Sequence, residues 1–283
     1  MAIYRLSAFA DEAGNGLDEQ LDAIAAEGIS LIELRGVDGT NCSELSVAEA
    51  EAVARKLAAH GVGLSALGSP YGKAPIDQPF EEHLAAFRHG LALCQALACR
   101  RMRMFSFFMP GNQRLEAWRG EVFRRLEIML DEAERVGVQL VHENEKGIYG
   151  DTDVRCEELL DHFRNRLGFV FDPANFIQCG VKPLAAYERL HGRITYMHIK
   201  DALLADGAVV CAGHGDGCVP ELLSRLSAER QGEIILTVEP HLTVFDGLSG
   251  LQAEAVRHHE QYASRREAFH AACRALRDIL AAL

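Results

Sequence analysis

Four apolar runs in the second half of the chain each end in a side chain that can bind a metal ion or transfer a proton. The polar residues at these ends are Glu143, Asp172, His198 and Glu239. Each run has the length and composition of a buried strand. Three carboxylates and one imidazole suit a divalent cation, and this ligand set leaves Mn²⁺, Zn²⁺, Mg²⁺ and Co²⁺ open.

The alternation of side chains along a strand indicates which way these groups point. Successive strand residues face opposite sides of a sheet, so residues two apart share a face. In every run, the residue two places before the polar group is of a type found in barrel interiors: Val141, Val170, Tyr196 and Thr237. The four polar groups are therefore expected to point into the top of a barrel. His142 has the opposite parity to Glu143 and is expected to face the helix layer.

Strand-like and helix-like stretches alternate along the whole chain. Four further strand-like runs precede the polar ones, at residues 4–9, 31–35, 62–67 and 101–105. Three helical stretches end at Gly28, Gly61 and Gly137, which are stop signals. Helical spacing covers residues 17–27, 47–60, 80–97, 115–136, 155–164, 184–190, 220–226 and 261–283.

This order of elements predicts an α/β fold, namely a (β/α)8 TIM barrel formed as a single domain by residues 1–283. Repeated βα units imply a parallel sheet, and eight of them suggest closure into a barrel. A doubly wound open sheet is the competing architecture, but no GxGxxG motif follows the first strand. In a barrel the carboxyl ends of the strands converge on one mouth, where function is expected.

Composition narrows the class of protein further. The chain has 283 residues, of which 48% are hydrophobic and 25% charged, and its net charge is -12. The acidic balance disfavours a nucleic-acid partner. No apolar run approaches the roughly 18 residues that a membrane span requires. The eight cysteines are scattered and none forms a CxxC pair, so they are expected to be reduced thiols in a cytoplasmic protein.

Five short segments carry a resemblance to a known family. They are His142-Glu143-Asn144-Glu145, Asp172-Pro173-Ala174-Asn175, His198-Ile199-Lys200-Asp201, the glycine-rich residues 213–217 and Glu239-Pro240-His241. By these motifs the chain resembles the xylose-isomerase-like TIM-barrel superfamily, in its branch of sugar phosphate isomerases and epimerases. The resemblance covers essentially the whole chain, and it implies a small-molecule carbohydrate substrate and a homodimer.

The resemblance also implies roles for individual residues. In the superfamily, one divalent cation is held by a Glu, an Asp, a His and a Glu from strands five to eight, which here are Glu143, Asp172, His198 and Glu239. In the ketose epimerases the two metal-binding glutamates also act as acid and base, which implies catalytic roles for Glu143 and Glu239. Those epimerases bind substrate through a His three residues after the Asp, and this chain has Asn175 there.

The chemistry expected of such a site begins with loss of a proton next to a carbonyl. The negative charge must then spread onto oxygen as an enediolate, which a divalent cation on the substrate oxygens stabilises. A carboxylate has to take the proton, and a second group has to return it at another carbon or on the other face. Isomerisation and epimerisation of sugars share this first step.

Further residues near the strand ends are candidates for substrate binding. Lys200 has a structural alternative, a salt bridge to Asp201, and Arg103 has one in a pair with Glu33 or Glu143. The substrate-binding candidates are Asn175, Lys200, Arg103, Glu33, Glu145 and His241.

Three other functions fit parts of the same pattern. An inosose-type dehydratase would use a similar metal site and lose water after proton abstraction, so the sequence does not separate it from an isomerase. A non-catalytic sugar-binding barrel would be indicated by loss of a ligand, and all four ligands are present. An abasic-site endonuclease shares the barrel but uses three metals, and the single ligand set and the acidic charge disfavour it.

Overall fold

Eight parallel strands form a closed barrel in the computed structural model, which describes residues 1–111, 115–243 and 257–283. Each strand pairs with its neighbours in sequence, and the first strand closes onto the last. The strands are β1 Ala2–Ala8, β2 Leu31–Leu34, β3 Gly63–Gly68, β4 Arg101–Met104, β5 Gln139–Glu143, β6 Leu167–Phe171, β7 Ile194–Ile199 and β8 Gly232–Val238. The predicted (β/α)8 TIM barrel is confirmed.

The register of the strands sets the height of the site. β1 and β8 pair over their full length, from Ala2 opposite Gly232 to Ala8 opposite Val238. Glu143 lies opposite Val170 on β6. His198 lies opposite Thr237 on β8. The polar residues at the ends of β5 to β8 therefore reach the same mouth of the barrel at similar depth.

Helices surround the barrel, and capping side chains define where several of them begin. Ser46 and Ser264 accept hydrogen bonds from the backbone N–H groups three residues later, so each acts as an N-cap. Gly28, Gly61 and Gly137 follow three helices with positive φ, as the sequence predicts. The helices are α1 Leu17–Ala26, α2 Val47–Ala59, α3 Phe80–Ala96, α4 Leu115–Arg135, α5 Asp153–Phe163, α6 Pro173–Gln178, α7 Pro183–Leu190, α8 Val219–Glu229 and α9 Arg265–Ala281.

Two hydrophobic clusters of the described residues form layers on either side of the barrel strands. The larger layer fills the space between strands and helices and includes Leu140. The smaller layer lies inside the barrel and consists of Leu31, Ala66, Val141, Val170, Tyr196 and Ile235. Because Val141 is inside, Glu143 two residues later also faces inward. His142 shares the parity of Leu140 and so points to the outer layer, as expected.

Some local elements differ from the sequence prediction. The short helix α6 follows β6 directly, because the Asp172 side chain caps it and Pro173 occupies its first turn. Two antiparallel hairpins of two-residue strands follow β2 and β7. The last helix begins at Arg265 rather than at residue 261. Within the described residues, no helix has both the length and the apolar character needed to cross a bilayer.

Candidate metal centre

The imidazole of His198 lies among three carboxylates at the mouth of the barrel. Its Nδ1 is 3.0 Å from Oε1 of Glu143 and 3.2 Å from Oε2 of Glu239. Its Nε2 is 3.2 Å from Oε2 of Glu33. Phe9 packs edge-on against the ring, with the two centroids 5.1 Å apart. The ring therefore directs Nδ1 toward the two glutamates of β5 and β8, and Nε2 toward the glutamate of β2.

Glu33 is held in place from within the barrel. The hydroxyl of Tyr196 donates to Oε1 at 2.8 Å, and the hydroxyl of Thr237 donates to Oε2 at 3.0 Å. A histidine that binds a metal commonly donates its second ring N–H to a carboxylate, which fixes the tautomer and the ring orientation. Glu33 has this relation to His198, so its geometry is that of a positioning residue.

Each oxygen of the Glu143 carboxylate has its own neighbour. The side-chain amide of Asn175 donates to Oε1 at 3.1 Å, and the same amide donates to the carbonyl of Asn144 at 2.9 Å. Nε of Arg103 lies 3.4 Å from Oε2. All of these side chains are buried. Asn175 thus orients Glu143, and its role in substrate binding stays a prediction.

Asp172 joins the mouth to the start of helix α6. Its Oδ1 accepts a hydrogen bond from the backbone N–H of Asn175 at 2.9 Å. Its Oδ2 forms an ion pair with Nζ of Lys200 at 2.9 Å, but the angles do not make a hydrogen bond. The side chain of Asn144 holds the backbone N–H and carbonyl of Asp172 at 3.0 and 2.9 Å. Oδ2 is therefore the oxygen that Asp172 can offer to a cation.

Glu239 is divided between two sets of partners. Oε2 faces His198 and lies 3.3 Å from Nζ of Lys200. Oε1 lies 3.2 Å from Nη1 of Arg35 and 3.3 Å from Nε2 of His241. His241 has a left-handed backbone conformation, with φ of 48°, and its N–H donates to Glu12. Glu239 therefore presents one oxygen to the centre of the mouth and the other to Arg35.

Burial and neighbouring charges shift the pKa values of the four candidate ligands. Burial acts to raise the pKa of Glu143, but the charges of His198 and Arg103 outweigh it and bring that pKa to about 2. Burial also acts to raise the pKa of Glu239, which Lys200 and His198 hold well below its usual range. Burial raises the pKa of Asp172 to about 7 despite the opposing charge of Lys200.

The pKa of His198 moves in the opposite direction from that of a simply buried imidazole. Burial acts to lower this pKa, but the carboxylates of Glu143, Glu33 and Glu239 raise it well above its usual value. The surrounding carboxylates thus favour a positive charge at this point of the mouth. A divalent cation would supply that charge while binding the neutral imidazole.

The donor set fits a divalent cation. Glu143, Asp172, His198 and Glu239 are all buried, and each offers one ligand atom within 4.8 Å of the others. Oxygen and imidazole nitrogen ligands of this kind suit Zn²⁺, Mn²⁺, Mg²⁺ or Co²⁺. A second group, Glu12, Glu239 and His241, meets the same distance criterion and shares Glu239 with the first.

Cations and aromatic rings alternate along the half of the mouth built by β1 to β4. The Arg35 guanidinium lies 4.3 Å from the Phe9 ring centroid. The Arg103 guanidinium lies 5.6 Å from the Phe9 ring and 4.7 Å from the Phe105 ring. The Phe105 ring also contacts Lys73, whose Nζ lies 4.4 Å from the ring centroid. These cation–π contacts stabilise the arginines beside the candidate ligand carboxylates.

The structure brings the predicted site residues together at one mouth. Glu145 pairs with Lys73 at 2.8 Å, so it lies in contact with the loop that follows β3. Arg103 adopts the predicted alternative pair, 3.4 Å from Glu143, with Glu33 at 4.0 Å. The alternative pairing of Lys200 with Asp201 is wrong. Lys200 pairs instead with the carboxylates of Asp172 and Glu239.

Asp201 has a different task. Its carboxylate accepts hydrogen bonds from the backbone N–H groups of Ala202, Gly213, Gly215 and Gly217, at distances of 2.7 to 3.1 Å. A buried carboxylate with this many N–H donors fixes a loop as a capping side chain fixes a helix end. The Asp201 side chain therefore links the motif that contains His198 to the backbone of the glycine-rich segment.

Sequence reasoning missed Arg35 and its carboxylate partners Asp11 and Glu12. Arg35 donates to both oxygens of Asp11, at 2.9 and 3.0 Å, and to Oε1 of Glu12 at 3.0 Å. Burial raises the pKa of Glu12 to about 8 against the charge of Arg35. The parity rule could have found Arg35, because it lies two residues after the inward-facing Glu33.

The chain belongs to the xylose isomerase-like TIM barrel family, whose sequence profile matches residues 21–276. No significant match was found among curated proteins. Three solved structures are similar to this chain in fold.

One similar structure is the IolI protein with a bound zinc atom, with a TM-score of 0.74 and 17% identity over 98% of each chain. Another is the probable 3-DHS dehydratase AsbF involved in petrobactin synthesis in Bacillus anthracis. It has a TM-score of 0.73 and 15% identity, covering 98% of this chain and 99% of that one. A third is L-ribulose 3-epimerase, with a TM-score of 0.69 and 16% identity, covering 100% of this chain and 95% of that one. At identities this low, the structural similarity establishes the shared fold alone.

Proposed function

We propose that this chain is a divalent-metal-dependent isomerase or epimerase of a sugar or sugar phosphate. The observation that carries the proposal is the convergence of Glu143, Asp172, His198 and Glu239 on one buried point of the mouth. The two glutamates come from the first and the last of the four strands that supply the ligands. This arrangement would hold a cation beside two carboxylates that can accept and return a proton.

The residues of this chain have separable tasks in the proposed reaction. A bound divalent cation would stabilise the negative charge that develops on substrate oxygen when the proton is lost. Glu143 and Glu239 are the groups placed to remove a proton beside the carbonyl and to return it. Asn175 and Arg103 hold Glu143, whereas Arg35 and Lys200 hold Glu239. The two carboxylates therefore have different partners, although the neighbouring positive charges lower the pKa values of both.

Similar structures support the metal and the substrate class. A zinc atom is bound in the IolI structure, and L-ribulose 3-epimerase acts on a sugar. We propose the same classes of ligand for this chain: one divalent cation, which is Mn²⁺, Zn²⁺, Mg²⁺ or Co²⁺, and a small carbohydrate. Lys200, Arg103, Glu33, Glu145, Asn175 and His241 are the proposed residues around that carbohydrate.

We propose in addition that the protein works in the cytoplasm as a homodimer and does not bind nucleic acid. The net charge of -12 supports the last of these statements, because it opposes contact with a polyanion. All eight cysteines are unpaired, which is in keeping with a reducing compartment.

Hydrogen exchange with solvent tests the proposed reaction. Ketoses, ketose phosphates and inososes would be incubated in D₂O with the protein loaded with each candidate metal. The expected result is deuterium at the carbon next to the carbonyl, together with an isomerised or epimerised product. Glu143→Gln and Glu239→Gln should abolish both signals, because an amide cannot accept the proton. Glu233→Gln, at an exposed position on β8, is the matched control.

The products also separate the alternatives. A dehydrated product would assign the protein to the lyases that share the first proton abstraction. Binding of a sugar without exchange, across all metals and substrates, would indicate a non-catalytic sugar-binding barrel. Either result would contradict the proposed isomerase or epimerase.

A further inference from the structure

Arg35 occupies a pocket that has the donors of a second metal site. The residue follows β2, and its side chain is 2% exposed. Nη1 lies 3.2 Å from Oε1 of Glu239 and 3.3 Å from Nε2 of His241. Nη2 donates to Oε1 of Glu12 at 3.0 Å. A single guanidinium thus contacts all three members of the second group of potential ligands, Glu12, Glu239 and His241.

The spacing of these donors matches that of a coordination shell. Nε2 of His241 is 3.5 Å from Oε1 of Glu12 and 3.3 Å from Oε1 of Glu239. Ligand atoms of a tetrahedral site with bonds of about 2.0–2.1 Å lie about 3.3–3.4 Å apart. Glu239 belongs to both groups, so it would bridge two cations here. Carboxylate-bridged pairs of metals about 3.5–4 Å apart are common in hydrolytic and phosphoryl-transfer enzymes.

We propose that the guanidinium of Arg35 takes the place of a second divalent cation and so limits the centre to one metal ion. The inference rests on the proposed function, because it presupposes a first cation beside His198. Arg35 contributes one fixed positive charge where a metal would contribute two. It binds Oε1 of Glu239 and leaves Oε2 for the first cation, so Arg35 is also a positioning residue for that ligand.

An arginine suits this task better than a lysine. The planar guanidinium has five N–H donors in a fixed fork, and it remains charged when buried. Arg35 uses three of its nitrogen atoms in different directions, toward Asp11, Glu12 and Glu239. A compact ammonium would satisfy fewer of these acceptors, and water would have to fill the remaining space.

The number of metal ions bound by Arg35→Ala tests the proposal. Wild-type protein and variant would be stripped of metal, dialysed against excess Mn²⁺, freed of excess and measured by plasma mass spectrometry. The expected values are one Mn²⁺ per wild-type chain and two per Arg35→Ala chain. The pair in the variant should show exchange coupling in its electron paramagnetic resonance spectrum, because Glu239 would bridge the two ions.

Three further variants make the test specific. Arg35→Ala combined with Glu12→Gln should return to one Mn²⁺, because a ligand of the second site is lost. Arg35→Lys keeps a positive charge in the pocket, so this variant should also bind one Mn²⁺. Arg125→Ala removes a different buried arginine, which pairs with Glu121 and donates to the carbonyl of Gln78, and it should leave the count at one.

Folding of the variant gives a second readout. Removal of Arg35 takes the buried cation away from Asp11 and Glu12, which is strongly destabilising. Glu239 keeps Lys200 and His198 as neighbours. If Arg35→Ala is unfolded without metal, refolding in increasing Mn²⁺ should require the second equivalent, whereas wild type should require at most one.

The possible outcomes separate this inference from the proposed function. One Mn²⁺ in both wild type and Arg35→Ala, or two in wild type, would overturn the role of Arg35 and leave the metal-dependent reaction standing. A wild-type protein that binds no Mn²⁺, and no Zn²⁺, Mg²⁺ or Co²⁺ either, would overturn both the role of Arg35 and the metal-dependent reaction.

Discussion

A histidine that binds a metal must present one ring nitrogen and keep the other occupied, and at His198 Glu33 meets the second need. Nε2 of the ring lies 3.2 Å from the Glu33 carboxylate, which Tyr196 and Thr237 hold from inside the barrel. The orientation of the ligand is thus built into the barrel interior one step below the mouth. Glu33 acts on the metal through His198 and does not need to touch it.

Replacement of Glu33 by Gln should weaken metal binding about 10- to 100-fold, which is the usual cost of losing such an orienting carboxylate. The amide has no charge to raise the basicity of the imidazole, although it keeps nearly the same shape. Titration calorimetry with Mn²⁺ or Zn²⁺ would measure the change. Glu51→Gln, on the exposed face of α2, is the control. Equal affinities in Glu33→Gln and wild type would show that Glu33 does not orient His198.

For single residues, the alternation along a strand predicts which way a side chain points. It does not predict ion pairs between residues that are far apart in the chain. The inward direction of Glu143 follows from its position two residues after Val141. Arg35 has the same relation to Glu33, but its partner Asp11 lies 24 residues away in the chain. The pairing of Lys200 depends likewise on the height at which β6 and β8 end, which no local pattern reports.

Among the elements, the glycine-rich segment after β7 is shaped by one carboxylate. The Asp201 carboxylate accepts hydrogen bonds from the backbone N–H groups of Gly213, Gly215 and Gly217, so the loop wraps closely around this side chain. A Cβ atom on Gly215 would come within 2.6 Å of the Ala202 carbonyl oxygen and closer still to Asp201. Glycine is therefore required here for close approach of the backbone.

Gly215→Ala should lower the free energy of unfolding by about 1–3 kcal/mol, the usual cost of adding a methyl group to a filled space. Gly120→Ala provides the matched control, because nothing lies within 4 Å of a Cβ at that helical position in α4. That change should raise the free energy of unfolding by about 0.4–1 kcal/mol. Urea denaturation would compare the two variants. A Gly215→Ala protein as stable as wild type would contradict the close packing around Asp201.

Long elements were predictable and short ones were not. Helical spacing and glycine stop signals placed α1, α2 and α4 within a residue or two of their observed ends. The hairpin after β7 has strands of only two residues, Asp201–Ala202 and Val209–Val210, which is too short for a periodic pattern. Helix α6 is equally short, and its signal lies in the capping of Asp172 followed by Pro173.

Over the whole molecule, the two halves of the barrel contribute different chemistry to the mouth. Strands β5 to β8 end in the four candidate metal ligands, Glu143, Asp172, His198 and Glu239. The opposite half supplies Arg35 and Arg103, whose guanidinium groups lie 4.3 and 5.6 Å from the centroid of the Phe9 ring. The four candidate ligands therefore lie beside arginines and aromatic rings.

Outside the set of candidate ligands, the half-buried His83 should make stability depend on pH. Nε2 of His83 accepts a hydrogen bond from the N–H of Gly72 at 3.2 Å, which requires a neutral ring. Burial, and secondly the charge of Arg125, lower the pKa of His83 to about 4. The pKa in the unfolded chain is about 6.5. The unfolded state therefore binds the proton more tightly than the folded state does. Between pH 6.5 and pH 4, protonation of this histidine favours unfolding.

The contribution of His83 should be fully present above pH 6.5 and should be lost as the pH falls toward 4. The difference between the pKa of His83 in the folded and in the unfolded protein corresponds to about 3 kcal/mol of the free energy of unfolding. The free energy of unfolding of His83→Gln should fall less than that of wild type between pH 7 and pH 4. His60→Gln, at the exposed end of α2, is the control. Parallel pH profiles of wild type and His83→Gln, measured by urea denaturation, would rule out this contribution.

The metal content of the purified protein tests the central claim most directly. Plasma mass spectrometry would be applied to wild type, to Glu239→Gln, and to Glu233→Gln as the control on the same strand. The account predicts about one divalent ion per chain in wild type and in Glu233→Gln, and a marked loss in Glu239→Gln. A wild-type protein that holds no divalent ion, and gains no heat stability from any of the four candidate metals, would contradict it.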